Sequence, residues 1–130
     1  MTEYHALIVD DLGCWQDALN EALTDAGYHV CVAASYAEAM DALGRQRFHL
    51  AIIDPVLDDA NRRNRDGLRV LRNILDRWPD IRSVVVTSSD PNRIRHDVDD
   101  LSPDIPVLWK DEWDDNRFLA VVRELLNRGA

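Results

Sequence analysis

Five short apolar runs, each followed by a stretch of helical spacing, constrain this chain more than any other feature. The runs are Ala6–Val9, His29–Ala34, Leu50–Asp54, Ser83–Thr87 and Val107–Lys110. After the first, Trp15, Ala18, Leu19, Ala22, Leu23 and Ala26 recur at three- and four-residue steps, and Gly27 supplies a stop. Ser35 with Glu38 reads as a capping box opening a second helix through Leu43. Gly67 ends a long polar loop, and Leu68, Leu71, Ile74, Leu75 and Trp78 mark a third helix stopped before Pro79. Asp90-Pro91 reads as an N-cap and a first helical position, opening a weak helix with Ile94, Val98 and Leu101 inward. Phe118, Val121, Val122, Leu125 and Leu126 mark the last helix, followed by Gly129. Strands joined by crossover helices predict an α/β fold, a parallel sheet covered on both faces. No repeat, linker or low-complexity tract interrupts residues 1–130, which read as one domain without an output domain.

The run Leu50-Ala-Ile-Ile-Asp54-Pro55 ends abruptly in a carboxylate, and Pro55 closes it. In a parallel sheet the strand carboxyl ends share one rim, where ligands bind. Asp10-Asp11, Asp54, Thr87 and Lys110 all fall at such ends. Clustered carboxylates raise one another's pKa unless a cation sits among them, and carboxylate oxygens with waters suit Mg²⁺. A divalent ion on Asp10, Asp11 and Asp54 is therefore expected. Taken singly, each residue has a plainer reading. Asp54 is then a turn residue, the acidic pair a helix cap and first-turn acid, Thr87 a β-branched strand residue, and Lys110 a solvated charge.

Composition narrows the function classes. The 130 residues carry a formal net charge of −9, which opposes non-specific nucleic-acid binding. No apolar stretch approaches the roughly 20 residues that span a bilayer, and the N-terminus lacks a secretion signal, so a cytoplasmic protein is expected. Cys14 and Cys31 form no CxxC pair and read as free thiols, and His5, His29, His49 and His96 are scattered.

In their order and spacing, Asp10-Asp11, Asp54, Gly67, Thr87 and Lys110 resemble the receiver domain of two-component response regulators. The resemblance covers essentially the whole chain. It implies a flavodoxin-like, doubly wound sheet of strand order 2-1-3-4-5 flanked by five helices. It also implies that Asp54 is the phosphoacceptor and that Asp10, Asp11, Asp54 and the backbone carbonyl of Val56 hold Mg²⁺. Lys110 would pair with Asp54 or its phosphoryl group, and Thr87 would hydrogen-bond the phosphoryl oxygen. The implied partners are a histidine kinase or histidine phosphotransfer protein and a downstream protein of unknown identity. A homodimer stays open, with no nucleic-acid or membrane contact. The domain is expected to be no enzyme beyond Mg²⁺-dependent self-phosphorylation and dephosphorylation.

The chain departs from the family in four places. The loop from Asp54 to Gly67 is longer by roughly five residues and carries Asn61-Arg-Arg-Asn-Arg65. This insert is expected to meet an acidic partner or turn an Arg toward the phosphoryl group, unless it is simply a solvated loop. Asp111 stands after Lys110 where the family has a cis-linked proline, so either a trans bond with a rearranged loop or a retained cis bond is expected. Asp111 also brings a charge that competes for Lys110. Val107 occupies the family's aromatic switch position, and strand alternation puts Trp109 on the same side. The fourth helix is short and rich in Asp, with Asp97, Asp99 and Asp100.

Three alternatives compete. One is a pseudo-receiver, an interaction module that is not phosphorylated. A haloacid-dehalogenase-type phosphatase needs a second Asp where Val56 stands. A flavin carrier needs a phosphate loop where Asp10-Asp11-Leu12-Gly13-Cys14 would repel phosphate.

Overall fold

A computed structural model describes residues 3–58, 60–61 and 63–128, apart from the Pro91 side chain. Arg62 and Gly129, which figure in the sequence reading, lie outside the described residues. Strands β1 (His5–Val9), β2 (His29–Ala33), β3 (Leu50–Ile53), β4 (Arg82–Thr87) and β5 (Val107–Trp109) alternate with five helices. These are α1 (Gly13–Asp25), α2 (Tyr36–Arg45), α3 (Asp66–Arg77), α4 (Pro91–Leu101) and α5 (Asp115–Asn127). The strands are all parallel, in the order β2-β1-β3-β4-β5. This is the doubly wound architecture expected from the alternation.

Both faces of the sheet are buried, which is why β3 is apolar throughout rather than alternating. One core joins Leu7, Val9, Ala51, Ile53 and Val85 to α2, α3 and α4 through Ala39, Leu71, Ile74, Ile94 and Val98. The other joins Ala6, Ile8, Leu50, Ile52, Val84 and Val86 to α1 and α5 through Leu19, Leu23, Phe118 and Val122. Each strand thus feeds alternate side chains to opposite layers.

Several local expectations change. Helix α1 buries only Leu19, Ala22 and Leu23, with Trp15 half-buried. Ala18 and Ala26 are exposed, because the sheet covers a narrower stripe of α1 than their spacing suggested. The cap of α2 holds: Ser35 Oγ accepts the Glu38 N–H at 3.2 Å, while Glu38 Oε1 accepts from Ala34 rather than Ser35. Gly67 lies inside the first turn of α3 instead of ending the loop. Lys110 leaves β5 and opens a 3₁₀ turn, Lys110–Glu112. Asp90 caps α4 by accepting from Asn92 and Arg93.

Two glycines are placed by backbone geometry. Gly27 ends α1 with φ +96°, a region L side chains rarely adopt. Gly67 brings the start of α3 against the end of β3. A Cβ there would overlap the Asp54 carbonyl oxygen and lie 2.7 Å from Asp54 C and Pro55 Cα. The Gly67 N–H donates to the Pro55 carbonyl at 3.0 Å across the same contact.

At the opposite, amino-terminal rim, His5 and His29 face each other in register with ring centroids 4.9 Å apart. His49 stacks on His5 at 6.1 Å, and its Nδ1 accepts the His5 N–H at 3.0 Å. Cys14 is exposed and Cys31 half-buried, both as free thiols.

Candidate functional site at the carboxyl rim of the sheet

Neighbouring strands set two carboxylates side by side. Val9 pairs with Ile53, so the next residues, Asp10 and Asp54, leave β1 and β3 at one level. Their N–H groups continue the ladder, Asp10 to Ala33 O at 3.1 Å and Asp54 to Val9 O at 2.9 Å. Lys110, just past β5, reaches across and completes the group. Its Nζ lies 2.9 Å from Asp54 Oδ2 and 2.8 Å from Asp10 Oδ2. All three side chains are nearly closed to solvent, at 3% exposure for Lys110, 1% for Asp10 and 7% for Asp54.

The remaining carboxylate oxygens are mostly satisfied by local backbone. Asp54 Oδ1 accepts the Val56 N–H at 2.9 Å, and Asp10 Oδ1 accepts the Leu12 N–H at 3.0 Å. Gln16 Nε2 braces the turn by donating to the Asp10 carbonyl at 2.7 Å. Asp10 Oδ2 is the exception. It touches the ammonium, but not along a hydrogen-bond direction, and is a buried oxygen with no hydrogen bond. The N-cap position of α1 is Leu12, so neither acid caps that helix.

Burial dominates the titration of the pair. It pushes Asp54 up to about 6, against the pull of the Lys110 charge and of the Lys110 and Val56 hydrogen bonds. Burial likewise raises Asp10, opposed by Lys110 and by the Leu12 N–H and assisted by the neighbouring Asp11 charge. Burial alone would lower Lys110. The nearby charges of Asp54 and Asp10, with the hydrogen bond to Asp54, outweigh it, and Lys110 sits above the ordinary lysine value. The ammonium therefore stays charged while the carboxylates hold protons more readily than usual.

Of the residues singled out from sequence, Asp10, Asp54 and Lys110 converge. Thr87 is fully buried on the same rim, level with Trp109, and its Oγ1 accepts the Ser89 N–H at 3.1 Å. Asp11 is half-buried beside Asp10, and Val56 is buried beside Asp54. Among the described residues no three His, Cys, Asp or Glu side chains converge closely enough to hold a metal ion by themselves. The ammonium, not a third carboxylate, stands between Asp10 and Asp54. The donors nonetheless suit Mg²⁺. Two hard carboxylates, one with an oxygen lacking a hydrogen bond, match an ion that keeps several waters and takes one or two carboxylates from the protein.

The departures resolve as follows. Among the described residues no peptide bond is cis, so the Lys110–Asp111 bond is trans and the 3₁₀ turn is the rearranged loop. Asp111 is exposed, and Lys110 pairs with Asp10 and Asp54 instead. Val107 and Trp109 both pack, half-buried, against the core beneath α3 and α4, as alternation required. The insert is a series of side-chain turns. Asp58 Oδ1 accepts from Ala60, Asn61 Oδ1 from Arg63, and Asn64 Oδ1 from both Leu57 and Asp66. Arg65 reaches across to α4, with Nε 3.3 Å from Asp97 Oδ2. Among the described residues, the charges that shift Asp54 are those of Lys110 and Asp10.

Sequence reasoning missed Trp15 as a site residue, having read it as core. The Lys110 Nζ lies over its indole ring, 5.0 Å from the centroid. It missed Gln16 as well, which only its place one turn into α1 would have flagged.

Comparison with known proteins bears on this geometry. A profile of the family described as response regulator receiver domain matches residues 6–101, ending before Lys110. Among solved structures, a CheY-like response regulator receiver domain protein from Methanospirillum hungatei JF-1 is 23% identical, with a TM-score of 0.86 over 98% of this chain and 97% of that one. The signal receiver domain of an HD domain-containing protein from Pseudomonas fluorescens Pf-5 is 20% identical, with a TM-score of 0.84 over 98% of each chain. A response regulator protein from Burkholderia pseudomallei, solved with a phosphorylated aspartic acid, calcium ion and citrate, is 22% identical, with a TM-score of 0.79 over 97% of this chain and 70% of that one. These superpositions establish a shared fold. No curated protein matches.

Proposed function

The chain belongs to the response regulator receiver domain family, and we propose that it is a working phosphoacceptor that takes a phosphoryl group on Asp54. The observation that supports this most is the buried contact of Lys110 Nζ with both Asp54 and Asp10, kept although Asp111 replaces the usual proline. A pseudo-receiver has no need of an ion triplet so costly to desolvate.

In this reading Asp54 is the nucleophile. A carboxylate oxygen forms the new O–P bond while the donor's P–N bond breaks, in phosphohistidine, or its P–O bond, in acetyl phosphate. Lys110 stays charged and offers its ammonium to the Asp54 oxygen and then to the phosphoryl oxygens. Asp10 and Asp54, with Asp11 and the Val56 carbonyl, would hold Mg²⁺, which supplies positive charge to the transferring oxygens. Thr87, whose hydroxyl accepts the Ser89 N–H, would donate to a phosphoryl oxygen, a contact available only after transfer. Residues 1–130 would act as one receiver unit in the cytoplasm, served by a histidine kinase or histidine phosphotransfer protein. Among the described residues no helix is long and apolar enough to cross a membrane.

Intact mass after incubation with Mg²⁺ and acetyl phosphate tests the proposal. One added phosphoryl group, absent from Asp54→Asn, is expected. No gain in the wild-type protein would leave the pseudo-receiver reading in its place.

A further inference from the structure

Lys110 is held by more than its two carboxylates. Its ammonium lies over the Trp15 ring, 5.0 Å from the centroid, while Asp10 and Asp54 meet it at 2.8 and 2.9 Å. Trp15 is itself braced. Trp113 packs edge-on against it with centroids 5.2 Å apart, and Trp113 in turn lies 5.0 Å from the fully buried Phe118. Trp113 Nε1 is pinned to Asp115 Oδ1 at 2.7 Å, at the start of α5. An aromatic row therefore runs from the core under α5, through the loop after β5, to the ammonium. The backbone here is a short 3₁₀ turn with a trans bond into an exposed Asp111, which gives the lysine stem no ring to rest on.

We propose that Trp15 is a positioning residue for Lys110: its indole face holds the ammonium on Asp54 where the chain after the lysine does not. A cation over an indole face is attracted by the ring's negative face, most strongly where water is excluded, and the Lys110 side chain is only 3% exposed. Two carboxylates alone leave a four-carbon stem free to pivot about them. The third contact fixes where the ammonium sits before a phosphoryl group arrives. The effect on rate rests on the phosphoacceptor reading above, whereas the Trp15–Lys110 contact does not.

Two measurements separate these. In metal-free, unphosphorylated protein, the Lys110 ε-methylene signals, assigned by their loss in Lys110→Ala, are expected upfield of ordinary lysine. They should return to the ordinary position in Trp15→Leu and stay displaced in Trp15→Phe. Wild-type signals at ordinary positions, or no change in Trp15→Leu, would overturn the proposal. With Mg²⁺ and acetyl phosphate, Trp15→Leu should take up phosphate roughly tenfold more slowly, which is ~1.4 kcal/mol, with most of the rate restored in Trp15→Phe. An unchanged rate in Trp15→Leu, or equal slowing by Phe and Leu, would also overturn it. Should Trp15→Leu not fold by circular dichroism, Trp15→Met, of closer volume, takes its place in both measurements. If the wild type accepts no phosphoryl group, the phosphoacceptor reading falls while the methylene signals still decide on Trp15.

Discussion

At Asp54 the folded protein makes ionisation costly, and this has a sign that can be measured. Its pKa is raised from 3.8 to about 6, so the folded state keeps a proton that the unfolded chain has already lost. Stability from this group is complete below pH ~4 and disappears as pH rises through about 6, up to about 3 kcal/mol in all. Asp54→Asn should therefore be more stable than the wild type at pH 7 in EDTA. Urea midpoints of the two proteins should draw together as pH falls from 7 to 4. A gap that does not change with pH would show that burial does not govern Asp54. In the proposed phosphoacceptor role the same carboxylate would have to ionise, drawing on positive charge from Lys110 or from a bound metal to recover what burial costs. Asp54 and Lys110 were legible in the sequence because a parallel sheet puts every strand end on one rim. Asp10's close pairing with Lys110 was not legible, because it depends on a side chain from beyond β5 reaching past the ends of β4 and β3 rather than on strand ends alone.

The elements carry two contacts that local pattern does not reveal. The first is the meeting of α3 with β3 at Gly67, where an added methyl would overlap the Asp54 carbonyl. Gly67→Ala should cost about 2 kcal/mol or more in chemical denaturation, since backbone on both sides has nowhere to move. It should also disturb Asp54 and slow phosphate uptake. The sequence marked Gly67 but gave it the wrong task, because a glycine near a loop reads equally as a loop end or as a site of close approach. The second contact is Arg65 with Asp97, which ties the insert to α4 and spans 32 residues of chain. Both side chains are partly exposed, at 22% and 31%, so a double-mutant cycle should give a coupling below about 1 kcal/mol that shrinks in high salt. A larger, salt-insensitive coupling would mean the pair is drier than its exposure implies. The arginines of the insert were expected to meet an acidic partner or to turn toward the phosphoryl group. Only the folded path of α4 shows that one of these arginines turns inward.

For the whole molecule, the proposed Mg²⁺ site and two cores share the same central strands. Anything that binds the folded rim but not the unfolded chain must stabilise both layers together. Mg²⁺ should raise the thermal midpoint progressively with the logarithm of its concentration, adding about 2.7 kcal/mol of stability at a hundredfold excess over its dissociation constant. That gain should vanish in Asp10→Asn. A midpoint indifferent to Mg²⁺ in the wild type would argue against the donor set. The global architecture was the most legible level of all, since the alternation of strand and helix fixes layers and handedness with few options. The length of α1's buried stripe and the end of β5 were the least legible, because they depend on how far the sheet happens to extend over a helix.

The candidate site residues ride on separate strand ends, and the loops between them carry none of the strand pairing. Here an Asn- and Arg-rich stretch extends one such loop while Asp54 keeps its level beside Asp10. A parallel rim of this kind behaves like a set of sockets on a fixed board. Connectors can be exchanged or lengthened to suit a new client while the wiring underneath stays in place.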